Sequence, residues 1–188
     1  MTTEAFLTNY LLYFVMPLWL LSGVADWLCH RASHIETTSG PKESVIHLVM
    51  MAEAGLAVLA GLLLEINGLV LLIMALLWIA HEVTSYWDVS YAHGRRHVSP
   101  IEQRVHDYLG VVPLLALSMV VVLHWPQALA LVGAGPEPLR MTLTLKQQPL
   151  PAAYVVTLLV LIALLEILPF CEELLRGLRE RRRHAPAE

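Results

Sequence analysis

Asp26, His30 and His34 recur at four-residue intervals, and Asp88, His93 and His97 repeat the pattern at an offset of 62 or 63. Each group is followed by a second signature. Pro41-x-Glu43-x-x-Ile46-His47 and Pro100-x-Glu102-x-x-Val105-His106 match without gaps at an offset of 59. Residues four apart share one face of a helix, and a third residue another four along drifts by only about 80°. Two imidazoles at that spacing grip a single ion, and neighbouring carboxylates add hard oxygen donors. The chemistry on offer is metal ligation by Asp26, His30, His34, Glu43, His47, Asp88, His93, His97, Glu102 and His106. His47 and His106 lie about a turn and a half inside their helices, where an ionisable group is a functional candidate by default.

Glu43 and Glu102 admit two readings. Ser99-Pro100-Ile101-Glu102 has the form of a capping box, with Ser99 as the cap and Glu102 as its reciprocal partner. Pro41 and Glu43 hold the equivalent places in the other copy. Each glutamate also stands four residues before a histidine, so ligation and capping both remain open. His81 and Glu53 have no counterpart in the repeat. In H81-E-V-T-S-Y-W-D88, His81 and Asp88 lie on one stripe, so His81 either joins the metal site or hydrogen-bonds Glu53. Glu53 falls deep in an apolar segment, where a lone carboxylate is costly, and is a candidate for proton transfer or for supporting a ligand. Tyr86 and Tyr91 are further candidate proton donors. Glu166 either closes the site or reaches for the interface. His124 and His184 read as bystanders, and H81-E-V-T-S lacks the second histidine that a zincin protease helix needs.

The elements that must position these groups are membrane helices. The chain has 188 residues, is 57% hydrophobic and 15% charged, and has a mean hydropathy of +0.62. About 20 apolar residues cross a bilayer core, and five stretches qualify, at about 8–29, 45–64, 69–88, 106–125 and 151–170. Runs of this length and Leu content exclude the alternating strands of a membrane barrel. The expected architecture is an all-α bundle of five transmembrane helices in a single domain. Repeat A covers about 8–64 and repeat B about 69–125, a helical hairpin duplicated in parallel about an axis along the membrane normal. The fifth span then packs outside the four, followed by a basic tail at 171–188.

Ten basic residues lie in the 30–44 and 89–105 segments and the tail, against only Arg140 and Lys146 on the other side. Basic residues stay cytoplasmic, which puts the amino terminus outside and the carboxyl terminus and metal site inside, as in a bacterial inner-membrane protein. Cys29 and Cys171 fall at cytoplasmic helix ends, where a structural disulfide is not expected. The short acidic start does not indicate a removable signal peptide. A net charge of −4 and a basic tail suited to anionic lipid headgroups give no support for nucleic-acid binding.

His30-x-x-x-His34 and His93-x-x-x-His97, with histidines at cytoplasmic helix ends, resemble the membrane histidine-box di-metal enzymes, the fatty acid hydroxylases, desaturases and alkane hydroxylases. The likeness covers residues 26–106. It lacks the H-x-x-H-H box and has more acidic residues, so it is one of design. The resemblance implies oxygen-dependent oxidation of a lipid-like or other hydrophobic substrate, with electrons from a separate donor. The donor inventory exceeds what one tetrahedral ion takes, so two metal ions are expected, iron first, with zinc or manganese as alternatives. A zinc-dependent membrane hydrolase is the main competing reading. A metal transporter or a haem-binding electron carrier is a further one, weakened by the apolar outer halves of spans one to four and by the many carboxylates.

Overall fold

The computed structural model describes residues 2–184. Five helices are long and apolar enough to cross a membrane: α1 Thr3–Ala32, α2 Pro41–Leu63, α3 Gly68–Ala92, α4 Pro100–Leu123 and α6 Ala152–Arg183. A short helix, α5 Trp125–Leu131, follows α4. Among the described residues there is no named strand, only an isolated bridge between Leu64 and Leu145. The helices outrun the apolar stretches. At the polar end they continue past the apolar stretches, and these extensions carry His30, Glu43, Glu102 and Glu173.

Local chemistry sets the boundaries. The α1 cap is Thr2, whose hydroxyl accepts from Ala5 N, and α3 is capped by Asn67, which accepts from Val70 N at 3.3 Å. Helix α2 starts at Pro41 after Gly40, whose φ of 75° is open to glycine at little cost. Helix α4 starts at Pro100 with the full capping box. Ser99 Oγ accepts from Glu102 N at 3.1 Å, and Glu102 Oε2 accepts from Ser99 N at 3.4 Å. Helices α1 and α6 each contain a π-helical turn, Leu11–Val15 and Ala163–Ile167, shortly before Pro17 and Pro169. Proline cannot donate to the carbonyl one turn back, and a widened turn relieves the clash of its ring.

Helix α1 packs along α4 and α2 along α3, while α6 lies chiefly against α2 and also touches α1. Three apolar clusters fill the seams. Val15, Val112 and Met119 join α1 to α4; Ile66, Val70, Leu71 and Met74 anchor the start of α3; Met16, Leu62 and Leu158 tie α6 to α1 and α2. Most other large apolar side chains point outward, as expected of helices whose solvent is lipid. At the end opposite the polar cluster, the chain after α5 is strapped across the bundle. Buried Gln127 accepts from Gly68 N and Arg140 N, and Lys146 donates from its backbone and its ammonium to Leu63 O and Gly61 O.

Candidate metal centre

Five helices and one loop converge at a single polar cluster. Asp26 and His30 come from the last two turns of α1, Glu43 and His47 from the first two turns of α2, and Asp88 from the last turns of α3. Glu102 and His106 come from the start of α4, Glu173 from α6, and Arg96 from the loop between α3 and α4. His30, Glu43 and Glu173 are fully buried, and His106, the most open member, keeps only 15% of its side chain exposed.

The contacts cross between the hairpins in a reciprocal way. Asp26 of α1 meets His106 of α4 at 3.0 Å, and Asp88 of α3 meets His47 of α2 at 3.1 Å. Glu43 of α2 and Glu102 of α4 both pair with Arg96, whose guanidinium lies 2.7 Å from Glu43. The Arg96 side chain is 1% exposed. Burial alone would lower its pKa, but the hydrogen bonds and charge of Glu43, then of Glu102, hold it well above the ordinary arginine value.

Glu173 and His30 break the reciprocity. Glu173 accepts from His30 Nδ1 at 3.0 Å and lies 3.5 Å from His47 Nδ1. The rings of His30 and His47 stack with centroids 4.4 Å apart. A carboxylate on one nitrogen fixes the tautomer and leaves the other nitrogen to act as a ligand. In His30 the other nitrogen is Nε2, and in His47, whose Nε2 donates to Asp88, it is Nδ1; neither has a hydrogen-bond partner among the described residues. Asp26 Oδ1, 3.5 Å from His30 Nε2 and 3.0 Å from His106 Nε2, is not aligned for a hydrogen bond to either and is also unpartnered. Donor atoms that approach one another without bonding could share a cation.

Two overlapping triads have the spacing to hold an ion: Asp26, His30 and His106, and His30, Glu43 and His47, each with donor atoms within 4.8 Å of one another. Charge points the same way. Five buried carboxylates face one guanidinium, so even three imidazolium charges would leave the cluster negative. Several kcal/mol per ion is the usual penalty for burying charge, and protons or a divalent cation must meet the excess.

No protein-family model, curated protein or solved structure matches the chain.

Of the residues singled out by spacing, Asp26, His30, Glu43, His47, Asp88, Glu102 and His106 are brought together. His34, His93 and His97 are not. Helix α1 ends at Ala32, and His34, at φ 50°, turns out to solvent beside Glu36. Helix α3 ends at Ala92, so His93 and His97 do not share a helical face; Gly94 at φ 79° turns the chain, and both imidazoles are exposed. The capping question resolves differently in the two copies. Glu102 caps α4 through Oε2 and holds Arg96 through Oε1, whereas Glu43 makes no cap and binds Arg96.

His81 and Glu53 stand apart from the cluster and from each other. His81 Nδ1 donates to Met50 O at 3.2 Å, and Glu53 Oε1 accepts from Thr84 Oγ1 at 3.0 Å. Both line an apolar cavity of about 180 Å3. A second cavity, of about 120 Å3, runs on toward Asp26 and His47 and shares Met16, Trp19, Ala54, Val58 and His81 with the first. Glu166, in the π-helical turn of α6, also lines it; its carboxylate lies over Gly23, where a methyl group would overlap it. Tyr91 donates to Ser39 O and Tyr86 is exposed, so neither faces the cluster.

Spacing did not reveal Glu173 or Arg96. Glu173 lies past the apolar part of α6, in F170-C-E-E-L-L-R176-G177, yet Glu166, Phe170, Glu173 and Gly177 recur at helical spacing. Phe170, Glu173 and Gly177 are buried, and Gly177 lets α6 approach Pro41 closely. Ion pairs between Arg31 and Glu172 and between Arg176 and Glu36 fix α6 against the end of α1 and the loop beyond it. The fifth helix closes the site, in place of the outside position expected for it.

Proposed function

We propose that the chain is a membrane-embedded metal-dependent oxidoreductase, holding two ions, iron in the first instance, and oxidising a hydrophobic substrate with dioxygen. The observation that carries this reading is the surplus of buried carboxylate around unpartnered imidazole nitrogens. One carboxylate from each of α1 and α3, with a Glu-x-x-x-His pair from each of α2 and α4, follows the same logic as di-iron and di-manganese helical bundles. Those combine single carboxylates from two helices with Glu-x-x-His pairs from two others. The crossed contacts Asp26–His106 and Asp88–His47 also support a parallel duplication of the hairpin. Of the residues that carry the histidine-box likeness, only His30 enters the cluster, so the reading rests on the interhelical set.

Asp26, His30, His106, Glu43 and His47 would hold the metal. When bound, iron with open positions supplies oxygen activation. Glu173 and Asp88 orient the rings of His30 and His47, and Arg96 holds Glu43 and Glu102 in register. The two neighbouring apolar cavities, the second lined by Asp26 and His47, would hold a hydrophobic substrate with a C–H bond near the cluster. In the overall reaction one oxygen atom enters that bond and the other leaves as water, using two electrons from a separate donor and two protons. The basic residues near the cluster support a cytoplasmic position for it by the charge rule.

The test is metal analysis of protein purified without oxygen, followed by oxygen uptake with a chemical reductant. About two irons per chain and substrate-dependent uptake would support the reading. One or two zincs with no uptake would replace it with metal-assisted hydrolysis, and a haem spectrum would overturn both.

A further inference from the structure

We propose that the two neighbouring cavities act as one channel that binds a single-chain anionic amphiphile of the long-chain carboxylate type, its head at Lys146 and His124 and its tail passing Trp19 and Trp78 toward Asp26 and His47. As a binding site this stands by itself; as a substrate assignment it rests on the oxidoreductase reading.

The cavity is chemically polarised along its length. Its middle is lined by aliphatic and aromatic side chains, and Lys146 and His124 line it at the end away from the polar cluster. Lys146 Nζ donates to Gly61 O at 2.7 Å, which satisfies one of its three donors and caps the end of α2. Among the described residues no carboxylate forms an ion pair with it. Glu65, the carboxylate that acts on it, instead accepts from Gln147 N at 2.7 Å. Burial lowers the pKa of Lys146, and burial followed by the charge of Lys146 lowers that of His124. Lys146 and His124 therefore share this end of the cavity with no carboxylate in ion-pair contact among the described residues, the charges of Glu65 and, at His124, of Glu4 acting from further away; a carboxylate head would supply the direct contact.

The length fits one chain. Gly61 lies near the mouth and His47 at the far end, fourteen residues apart on α2. At 1.5 Å per residue that is about 21 Å. A dry cavity of roughly 150 Å3 is enough to take a small hydrocarbon, and the two cavities here, of about 180 and 120 Å3, adjoin through shared walls. Glu53, His81 and the unpartnered Nε1 of Trp78 are the polar groups midway along, so the tail meets few charges before the cluster.

The full chain in dodecyl maltoside micelles would be titrated with 9,10-dibromostearate, whose bromines quench tryptophan. Saturable quenching that is lost in Trp19→Phe/Trp78→Phe is expected, above a linear background from the other tryptophans. Lys146→Met should weaken the acid about tenfold, equivalent to about 1.4 kcal/mol. Lys146→Arg should keep tight binding, and the neutral dibrominated alcohol should bind both wild type and Lys146→Met equally. Circular dichroism of each variant would confirm that the helices persist. Quenching that is only linear, or equal acid affinity in wild type and Lys146→Met, would overturn the proposal. So would a brominated phosphatidylglycerol that competes as well as the acid, since the occupant would then be a diacyl lipid. Metal measured on the same samples separates the two readings: acid binding to protein that takes no metal overturns the enzyme alone, and metal without acid binding overturns this site alone.

Discussion

Arg96 offers the most direct test of the charge balance at the cluster. Its guanidinium is almost wholly buried and is the partner of both Glu43, at 2.7 Å, and Glu102. Replacing it by Ala leaves two buried carboxylates facing each other without their cation. Breaking one side of a buried pair costs about 3–5 kcal/mol. For a chain of this size each kcal/mol corresponds to about 2–4 °C in Tm, so the metal-free Arg96→Ala protein should melt roughly 6–20 °C lower. The sign of the cure follows from the same geometry. A divalent ion drawn to the freed carboxylates should restore about 2.7 kcal/mol when present at a hundred times its Kd. Glu43→Gln and Glu102→Gln, added to Arg96→Ala, should restore stability without metal. The assay is thermal unfolding in detergent, followed by circular dichroism, in chelator and in graded ferrous or zinc ion. A loss under about 1 kcal/mol, the scale of an exposed pair, would refute the argument that this cation is needed. A loss that metal does not reduce would refute the link between the carboxylates and metal.

Glu173→Gln keeps the size of the side chain but removes the charge between His30 and His47, and should weaken metal binding by about 10- to 100-fold; competition with a chelator of known affinity measures it, and affinity within twofold of wild type would deny the carboxylate its orienting role. His47→Ala and His106→Ala should each lower bound metal by elemental analysis, and full occupancy in both would remove the shared site. His34→Ala, His93→Ala and His97→Ala should retain wild-type metal content, because all three imidazoles are exposed; loss of metal in any of them would place that ring in the site. Gly23→Ala should displace the Glu166 carboxylate that it would overlap and destabilise the protein by about 1–3 kcal/mol as overpacking does, read as a fall in Tm, whereas Gly55→Ala, with open space around it, should not.

The membrane class was legible because long apolar runs admit little else, and five such runs become five helices. The membership of the cluster was legible where two signals agreed. His47 and His106 carry a proline-anchored helix start and a glutamate one turn earlier, so both the register and the face are fixed locally. The i, i+4 spacing of His30 with His34, and of His93 with His97, fixes a face only if the helix continues. It does not continue: α1 stops at Ala32 and α3 at Ala92, so His34, and both His93 and His97, lie beyond a helix end. Glu173 failed for the opposite reason. Helix α6 runs well past its apolar segment to Arg183, and hydropathy is blind to a helix whose buried stripe is Phe170, Glu173 and Gly177. Arg96 looked like a marker of membrane sidedness, and local sequence cannot show that a loop arginine reaches between two helix starts.

The same helix ends explain why the two halves of the cluster are not equivalent. A parallel duplication would put an Asp and a His on the first helix of each hairpin and a Glu and a His on the second. The pairs Asp26–His106 and Asp88–His47 follow that scheme, and so does the sharing of Arg96 between Glu43 and Glu102. At the offset that aligns Asp26 with Asp88, however, His30 falls opposite Ala92, the last residue of α3. The single extra imidazole then belongs to both triads, and Glu173 from the unrepeated helix holds it in place. Two ions would compete for His30, whereas Asp26 and His106 serve only one position and Glu43 and His47 only the other. Occupation of one position would therefore alter the other through His30, and α6, which a four-helix bundle would not need, is the element that sets the orientation of that ring.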